Sequence, residues 1–360
     1  MKNKLNIQIL DKSFDSQIAE LFDEDCMGKD IALQYRTQPS FIDSLKLKGD
    51  FNQAFGVIST EGKLKSLGAR SIKKMYLNGK VEDIGYLSSM RVRSNRRGAL
   101  DMARGYEFLK GLHEDRRTNF YISTIVDDND YARKLLESGR CGLPQYKDMG
   151  LYYTATIPLM SRKCKLKTDV SSKKAKPDDL NIICDFLNEE GKNKQFFPIY
   201  EPHDFDGSKA VTAEVFYMLH VNDKLSAVMA LWDQRKQRQI VISKYSKRMK
   251  MLKSIYNFAS GLCSLPLMPD EKSILNSVYG SFIAVKNNAP DLFEQLLNFV
   301  IADNKNKYDW ISLGFHEKDP LLAVVKKRKH FKYISRLYTV GWDTLPKIDG
   351  RIPYLELGAL

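Results

Sequence analysis

The chain has 360 residues, of which 43% are hydrophobic, and a formal net charge of +13. This length allows sizeable buried cores and corresponds to about two domains, since one core rarely organises much more than roughly 200 residues. No apolar run reaches the ~18 residues of a membrane-spanning helix, and the N-terminus lacks the apolar run of a signal peptide, so we expect a cytoplasmic protein without a membrane span.

The positive charge predicts a surface that attracts anions, which would fit nucleic acid, acidic lipid headgroups or a phosphorylated cofactor. By itself the charge selects none of these partners. The five cysteines include no CxxC pair and the histidines stand alone, so the sequence predicts neither a disulfide framework nor a metal site.

A stretch between residues 161 and 179 has almost no apolar periodicity and reads as a connection that leads into a helix. We therefore predict an N-terminal domain over residues 1–160, a linker over 161–178 and a C-terminal domain over 179–360. The order of predicted elements is alike on both sides, which indicates a diverged internal duplication.

In the first half, helices are predicted over residues 15–22, 99–112 and 131–136, where apolar residues recur at helical spacing. Strands are predicted over residues 5–10, 51–60, 66–76, 83–93, 120–126 and 151–159. Asn78-Gly79 predicts a hairpin because both residues tolerate positive φ, and Gly139 is placed to end the third helix.

In the second half, helices are predicted over residues 248–259, 292–301 and 320–327. Strands are predicted over residues 215–221, 225–232, 240–245, 274–286 and 310–313, with a closing hairpin from 331–340 and 352–357. The two halves together predict an α/β protein with a mixed, mostly antiparallel sheet flanked by helices.

A basic loop follows the strand at residues 83–93 and leads into a helix. It reads Arg93-Ser94-Asn95-Arg96-Arg97-Gly98-Ala99. Free backbone N–H groups in the first helical turn, three arginines and a glycine that permits close approach suit a diphosphate group. The loop has neither GxGxxG nor GxxxxGK[ST], so dinucleotide and P-loop sites fit less well. A plain basic turn before a helix remains the alternative.

This arrangement resembles the GNAT superfamily of CoA-dependent N-acyltransferases over most of residues 5–160. The family's pattern Gln/Arg-x-x-Gly-x-Gly/Ala is represented by Asn95-Arg96-Arg97-Gly98-Ala99-Leu100, which keeps the central glycine and the basic character. A second signature, an Asn with an Ala three residues on and a Gly that ends the short helix, is met by Asn129, Ala132 and Gly139. The usual tyrosine seven residues after that Asn is replaced by Leu136.

The resemblance implies two tandem GNAT-like domains and direct attack of an amine on the thioester of acetyl-CoA or another acyl-CoA. The backbone of Met90 and Val92 would hold the pantetheine arm, and the loop from Arg93 to Ala99, together with Asn129, would bind the rest of the cofactor. The acceptor would be a small-molecule or peptide amine.

Acid and base candidates follow from the same resemblance. Glu82 or Asp83 would take the proton of the amine, with an exposed hairpin end as the alternative interpretation. Tyr152, Tyr86 or Tyr153 would replace the missing tyrosine as acid, although aromatic residues on strands more often serve packing, and solvent would otherwise protonate the thiolate.

The second half has Val285-Lys286-Asn287-Asn288-Ala289-Pro290 where a phosphate loop would fall, with one basic residue and no glycine. It is predicted to shape the acceptor site and not to bind acyl-CoA. Because tandem acyltransferases include members with a terminal carboxylate as base, the end of the apolar segment 354–360 is a further candidate base, with an added strand as the alternative interpretation.

Two other classes of function stay open on the sequence. One is a tandem GNAT-like transferase that uses aminoacyl-tRNA, which the positive charge favours. The other is a non-catalytic acyl-CoA-binding sensor, which Leu136 favours.

Overall fold

The computed structural model describes residues 6–24, 30–93, 98–140, 142–160, 170–263 and 266–360. Its strands are β1 (Asn6–Leu10), β2 (Ile31–Thr37), β3 (Phe51–Ile58), β4 (Leu64–Leu77), β5 (Lys80–Val92), β6 (Tyr121–Val126), β7 (Gln145–Pro158), β8 (Val170–Lys174), β9 (Lys194–Gln195), β10 (Phe216–Val221), β11 (Lys224–Trp232), β12 (Arg238–Tyr245), β13 (Ser277–Val285), β14 (Trp310–His316), β15 (Phe331–Gly341) and β16 (Ile352–Pro353). Its α-helices are α1 (Asp15–Asp23), α2 (Phe41–Ser44), α3 (Gly98–His113), α4 (Asp130–Glu137), α5 (Leu180–Gly191), α6 (Lys247–Cys263), α7 (Pro290–Asn304) and α8 (Leu322–Lys326).

Twelve of the described strands form one continuous sheet in the order β1-β3-β4-β5-β6-β15-β7-β14-β13-β11-β10-β8. Neighbouring strands are antiparallel except for β5 beside β6 and β13 beside β14, which are parallel. Helices pack on this sheet, so the predicted mixed, mostly antiparallel α/β class is confirmed.

The centre of the sheet is an exchange of strands between the two halves. β15, from the second half, lies between β6 and β7 of the first half, and β7 in turn pairs with β14 of the second half. Leu337, Tyr338 and Val340 of β15 are fully buried. Because each half contributes a strand that the other half flanks, neither half has a complete sheet of its own.

The helices bury their apolar faces in separate cores on the two sides of this exchange. Leu297 and Val300 of α7 pack with Leu313 of β14, whereas Tyr106 and Leu109 of α3 pack in the core that includes Tyr338 of β15. The apolar residues whose spacing predicted these helices therefore form the face that each helix buries.

The tight turns form where the sequence predicts them. Asn78 and Gly79 adopt φ values of 52° and 79° between β4 and β5, and Asn222 and Asp223 adopt 48° and 59° between β10 and β11. Two successive residues with positive φ form a turn whose twist matches the flanking antiparallel strands. None of the described helices is long and apolar enough to cross a membrane.

Three segments differ from the sequence prediction. The predicted closing hairpin is wrong, because Ile352–Pro353 pairs in parallel with Lys194–Gln195 and not with β15. Within the predicted linker, Val170–Lys174 forms β8, an edge strand on β10. The unpredicted β2 pairs with β12 in a separate two-stranded ribbon that joins the two halves. The division into domains at residues 160 and 178 stays a prediction.

The exchange predicts that the halves unfold together. Leu337→Ala, at the buried centre of β15, should lower the free energy of unfolding by about 2–5 kcal/mol, and far-UV circular dichroism and tryptophan fluorescence should report one urea transition. Lys332→Ala, at an exposed position of the same strand, should change stability by less than about 0.5 kcal/mol. Two separable transitions in the parent protein would contradict this interpretation.

Candidate functional site

A cleft opens where β5 and β6 diverge. The two strands pair only over Gly85–Leu87 and Tyr121–Ser123, although β5 continues to Val92. The contact is close there, since a Cβ on Gly85 would lie 2.1 Å from the Tyr121 ring. Beyond Leu87 the edge of β5 that faces β6 pairs with no described strand, so its backbone groups are available to a bound molecule.

A β-bulge lies at the start of this divergence. The register between β4 and β5 shifts opposite Leu67 and Ala69, and Ser89 has a φ of 58°. The neighbouring Ser88 is 8% exposed, and its Oγ has no hydrogen-bond partner among the described residues. Bulges commonly redirect side chains next to active sites. Met90 and Val92 follow the bulge on the diverging segment, and their contact with pantetheine stays a prediction.

The basic loop is described only at its ends. The backbone N–H of Arg93 donates to the Lys65 carbonyl at 2.9 Å, and its guanidinium lies 2.8 Å from Glu24 and 3.6 Å from Glu20 of α1. Arg93 therefore already has carboxylate partners. Ser94, Asn95, Arg96 and Arg97 lie outside the described residues, and α3 begins at Gly98, as predicted, with Ala99 next.

The structure does not bring Glu82 and Asp83 to the cleft. Both side chains are exposed at the start of β5, where Asp83 pairs with Lys74 at 3.3 Å. Five residues of extended strand place Asp83 about 17 Å from Ser88. Their role as base stays a prediction that this placement does not favour.

Tyr152 is 1% exposed, and its hydroxyl donates to the Leu355 carbonyl at 2.8 Å. Burial raises the pKa of Tyr152 well above its usual value. A phenol with a raised pKa releases its proton reluctantly, so the geometry favours a packing role for Tyr152.

Asn129 acts as the N-cap of α4, with Oδ1 accepting from the Ala132 N–H at 3.1 Å. Gly139 follows the helix with a φ of 60°, as predicted. Leu136 is buried in the core around α3 and α4, so its position faces packed side chains. Contact between Asn129 and a cofactor stays a prediction.

Beside the cleft lies a partly open pocket with a cavity volume of about 40 Å³. Tyr86 and Ile122, on the paired segments of β5 and β6, form the wall nearest the cleft. Most of the lining is aromatic or aliphatic, which is the usual character of a small-molecule site. The other lining residues are Leu47, Lys48, Lys73, Met75, Phe196, Pro198, Tyr200, Asp204, Phe205, Lys209, Val211, Trp232, Phe282, Leu355, Glu356, Ala359 and Leu360.

Glu356 is the buried carboxylate of this pocket, with 6% exposure. Its Oε2 accepts from the Phe282 N–H at 2.8 Å and from the Tyr354 hydroxyl at 2.7 Å. Its Oε1 makes no well-formed hydrogen bond with the described residues. Burial raises the pKa of Glu356, and the two hydrogen bonds oppose that shift.

Two lysines line the pocket against aromatic rings. The Lys48 Nζ lies 5.2 Å from the centre of the Tyr86 ring and 3.4 Å from the Ala359 carbonyl, and the Lys73 Nζ lies 4.7 Å from the Tyr200 ring. Burial lowers the pKa of Lys48 well below its usual value, and it lowers that of Lys73 as well. This wall of the pocket therefore disfavours additional positive charge.

The segment that carries Glu356 is held by side chains from β12 and the loop before it. Arg238 donates to the carbonyl of Gly358 at 2.9 Å and to that of Leu360 at 2.6 Å, and Gln234 also donates to Gly358. A Cβ on Gly358 would lie 2.4 Å from the Trp232 ring, so only glycine fits there. These contacts fix the position of Glu356 in the pocket.

The second half repeats the bulge of the first. β13 pairs with β14 only over Ser277–Tyr279, its register with β11 shifts, and Phe282 has a φ of 53°. Aligning the bulges matches Tyr86-Leu-Ser-Ser-Met-Arg-Val92 with Tyr279-Gly-Ser-Phe-Ile-Ala-Val285. At this second bulge the Phe282 N–H donates to Glu356, so a carboxylate of the same chain occupies the position that no described residue fills in the first half.

Sequence reasoning missed Glu356, Tyr200 and Lys48 as pocket residues. The shared Tyr-x-Ser pattern at residues 86–88 and 279–281 is a sequence signal that could have located the two bulges. No local sequence pattern marks Glu356. Its neighbours in the pocket, Phe282 of β13 and Tyr200, are far away in sequence.

No protein-family model and no curated protein matches this sequence. Solved structures do match. N-myristoyltransferase from Saccharomyces cerevisiae, solved with bound myristoyl-CoA, is 12% identical with a TM-score of 0.59, over 96% of this chain and 81% of that chain.

Two further structures extend the likeness. A GCN5-related N-acetyltransferase from Anabaena variabilis is 10% identical with a TM-score of 0.52, over 93% of this chain and 72% of that one. The GCN5-related glucosamine N-acetyltransferase region of a fungal multi-domain GH3 β-N-acetylglucosaminidase is 12% identical with a TM-score of 0.62, over 94% of this chain and 38% of that one. The chain thus has the fold of the GCN5-related N-acyltransferases, as the sequence motifs predicted.

Replacing Glu356 by glutamine should change how stability depends on pH. Because the pKa of Glu356 is raised in the folded state, the unfolded chain loses this proton at lower pH, and the unfolding free energy falls as the pH rises through the folded pKa. Glutamine does not titrate. The unfolding free energy of the parent minus that of Glu356→Gln should therefore decline as the pH rises through the folded pKa of Glu356, as measured by urea unfolding at several pH values. A constant or rising difference would contradict the assignment.

Proposed function

We propose that this protein transfers an acyl group from acyl-CoA to the amine of a small molecule or peptide. The observation that carries the proposal is the diverging, bulged edge of β5 next to a partly open aromatic pocket lined by one buried carboxylate. An acyl thioester in the cleft and an amine in the pocket would meet where Tyr86 and Ile122 separate the two spaces.

The acyl-CoA would lie along the open edge of β5. The backbone from Ser88 to Val92 would bind the pantetheine arm and the thioester carbonyl, and the start of α3 at Gly98 would receive the pyrophosphate. The unpartnered Ser88 Oγ is a further donor at the bulge. The solved yeast N-myristoyltransferase binds myristoyl-CoA, which supports acyl-CoA as the donor and leaves the chain length to experiment.

The acceptor amine would enter the aromatic pocket, and Glu356 would act as the base. The neutral amine nitrogen attacks the thioester carbonyl carbon, the amide C–N bond forms and the C–S bond breaks. Glu356 takes the proton that the amine loses, and the CoA thiolate takes a proton from solvent. A raised pKa suits Glu356 to this role, because a base is most effective when its pKa approaches the working pH.

Titration with acetyl-CoA and longer acyl-CoAs tests the binding part of the proposal. Thermal-shift and calorimetric experiments should show stabilisation of the parent protein, since a ligand that binds only the folded state raises its stability. The double variant Arg96→Ala with Arg97→Ala should bind at least about 10-fold more weakly, because two cations are lost near the diphosphate. If no CoA species stabilises the parent protein, the proposal is wrong.

A free-thiol assay with a panel of amines tests the catalytic part. Glu356→Gln should lower kcat by about 10²-fold or more, which is the usual contribution of a general base, while acyl-CoA binding stays unchanged. Glu82→Gln and Asp83→Asn serve as controls at the exposed start of β5 and should keep the parent activity. If these two variants lose activity while Glu356→Gln stays active, the base is Glu82 or Asp83 and the assignment to Glu356 is wrong.

A non-catalytic acyl-CoA-binding protein is the second candidate. The burial of Leu136 in an apolar core favours it, because that position supplies no proton to a leaving thiolate. Stoichiometric binding of acyl-CoA without thiol release for any amine would support this second function over the first.

A further inference from the structure

A long insertion separates two neighbouring strands of the second half. β11 and β13 pair directly, yet the chain between them runs over residues 233–276 and forms β12 and α6. Antiparallel neighbours need only a short turn between them. The ribbon of β12 and β2 and the anchoring of Arg238 account for the first part of the insertion, but not for α6.

Helix α6 carries an exposed apolar face. Met251, Ile255 and Phe258 recur at helical spacing and are 63%, 60% and 81% exposed. The opposite face, with Met249 and Tyr256, packs on the small core that includes Ile242 and Tyr245. The helix is thus attached by one face and presents large apolar side chains on the other. Leu252 and the nearby Leu267 extend this surface with 40% and 60% exposure.

Cations flank this apolar face. The sequence of α6 holds four basic residues and no acidic one. Lys250 pairs with Glu271 at 3.1 Å and Lys253 pairs with Asp270 at 2.7 Å. By contrast, Lys247 and Arg248 have no carboxylate within ion-pair distance among the described residues, and both are exposed. The exposed Lys244 lies just before the helix.

An apolar centre with unpaired cations beside it matches one kind of partner by charge and hydropathy. Helices that lie in the interface of a bilayer bury such a face among the acyl chains and place Lys and Arg against anionic headgroups. The whole chain carries a net charge of +13. We propose that α6 docks this protein on an anionic lipid surface, independently of the proposed enzymatic activity.

Vesicle flotation with the full chain tests the docking. The parent protein should float with vesicles that contain about 30 mol% phosphatidylserine and much less with pure phosphatidylcholine vesicles. Ile255→Glu with Phe258→Glu should weaken binding at least ~10-fold, because two apolar anchors are replaced by charges. Lys247→Glu with Arg248→Glu should weaken it by about 5-fold or more per residue, and salt near 0.5 M should do the same by screening.

Ile182→Glu on α5 is the matched control, since Ile182 is also exposed, at 49%, and it should bind vesicles like the parent. All these positions are on the surface, so circular dichroism and melting temperature should stay unchanged. The proposal is overturned if the parent does not bind phosphatidylserine vesicles at low salt, or if the Ile255 and Phe258 variant binds them as well as the parent. It is also overturned if that variant loses only a dimer seen by light scattering, which would make the face a contact between copies.

Discussion

The exchange of β7 and β15 at the centre of the sheet is the constraint on which the rest of the structure depends. Each strand is hydrogen-bonded on both edges, and both neighbours of each strand come from the other half. Such a pairing leaves no exposed edge at the junction and fixes the register of one half against the other. The cleft between β5 and β6 and the pocket at Phe282 therefore keep a constant relative position, which a reaction between two bound molecules requires.

The two bulges show how one local geometry serves two purposes. In the first half, Ser89 turns the strand outward and leaves the edge of β5 open; in the second half, Phe282 does the same, but its N–H is bound by Glu356. The difference lies in the chain that follows β16 and not in the strands. The segment with Glu356 occupies the bulge of the second half. By the same contacts it places a carboxylate in the pocket that Tyr86 of the first half also lines.

The sequence predicted the elements whose physics is local. Apolar spacing located α3 and α7, and Asn78-Gly79 located the central hairpin, because a positive φ at two successive residues needs such residues. The site depended on contacts between segments far apart in sequence. Glu356 meets Phe282 across more than seventy residues, and the short β16 has no periodicity to recognise, so it was assigned to a hairpin that does not form. β2 was missed for the same reason, since its partner β12 lies in the other half.

The buried carboxylate illustrates why binding geometry and stability oppose each other at this site. Taking Glu356 out of water disfavours its charged form, and the Phe282 N–H and the Tyr354 hydroxyl recover only part of that loss at Oε2. Ser281 and the Gly358 backbone also lower the pKa of this carboxylate, whereas Oε1 itself makes no well-formed hydrogen bond with the described residues, which is unfavourable for a buried acceptor in the free protein. The contacts of Arg238 and Gln234 hold the segment that keeps this group in the pocket. The pocket thus retains a carboxylate oxygen that can accept a hydrogen bond from a bound group, which is the observation behind the proposed role of Glu356.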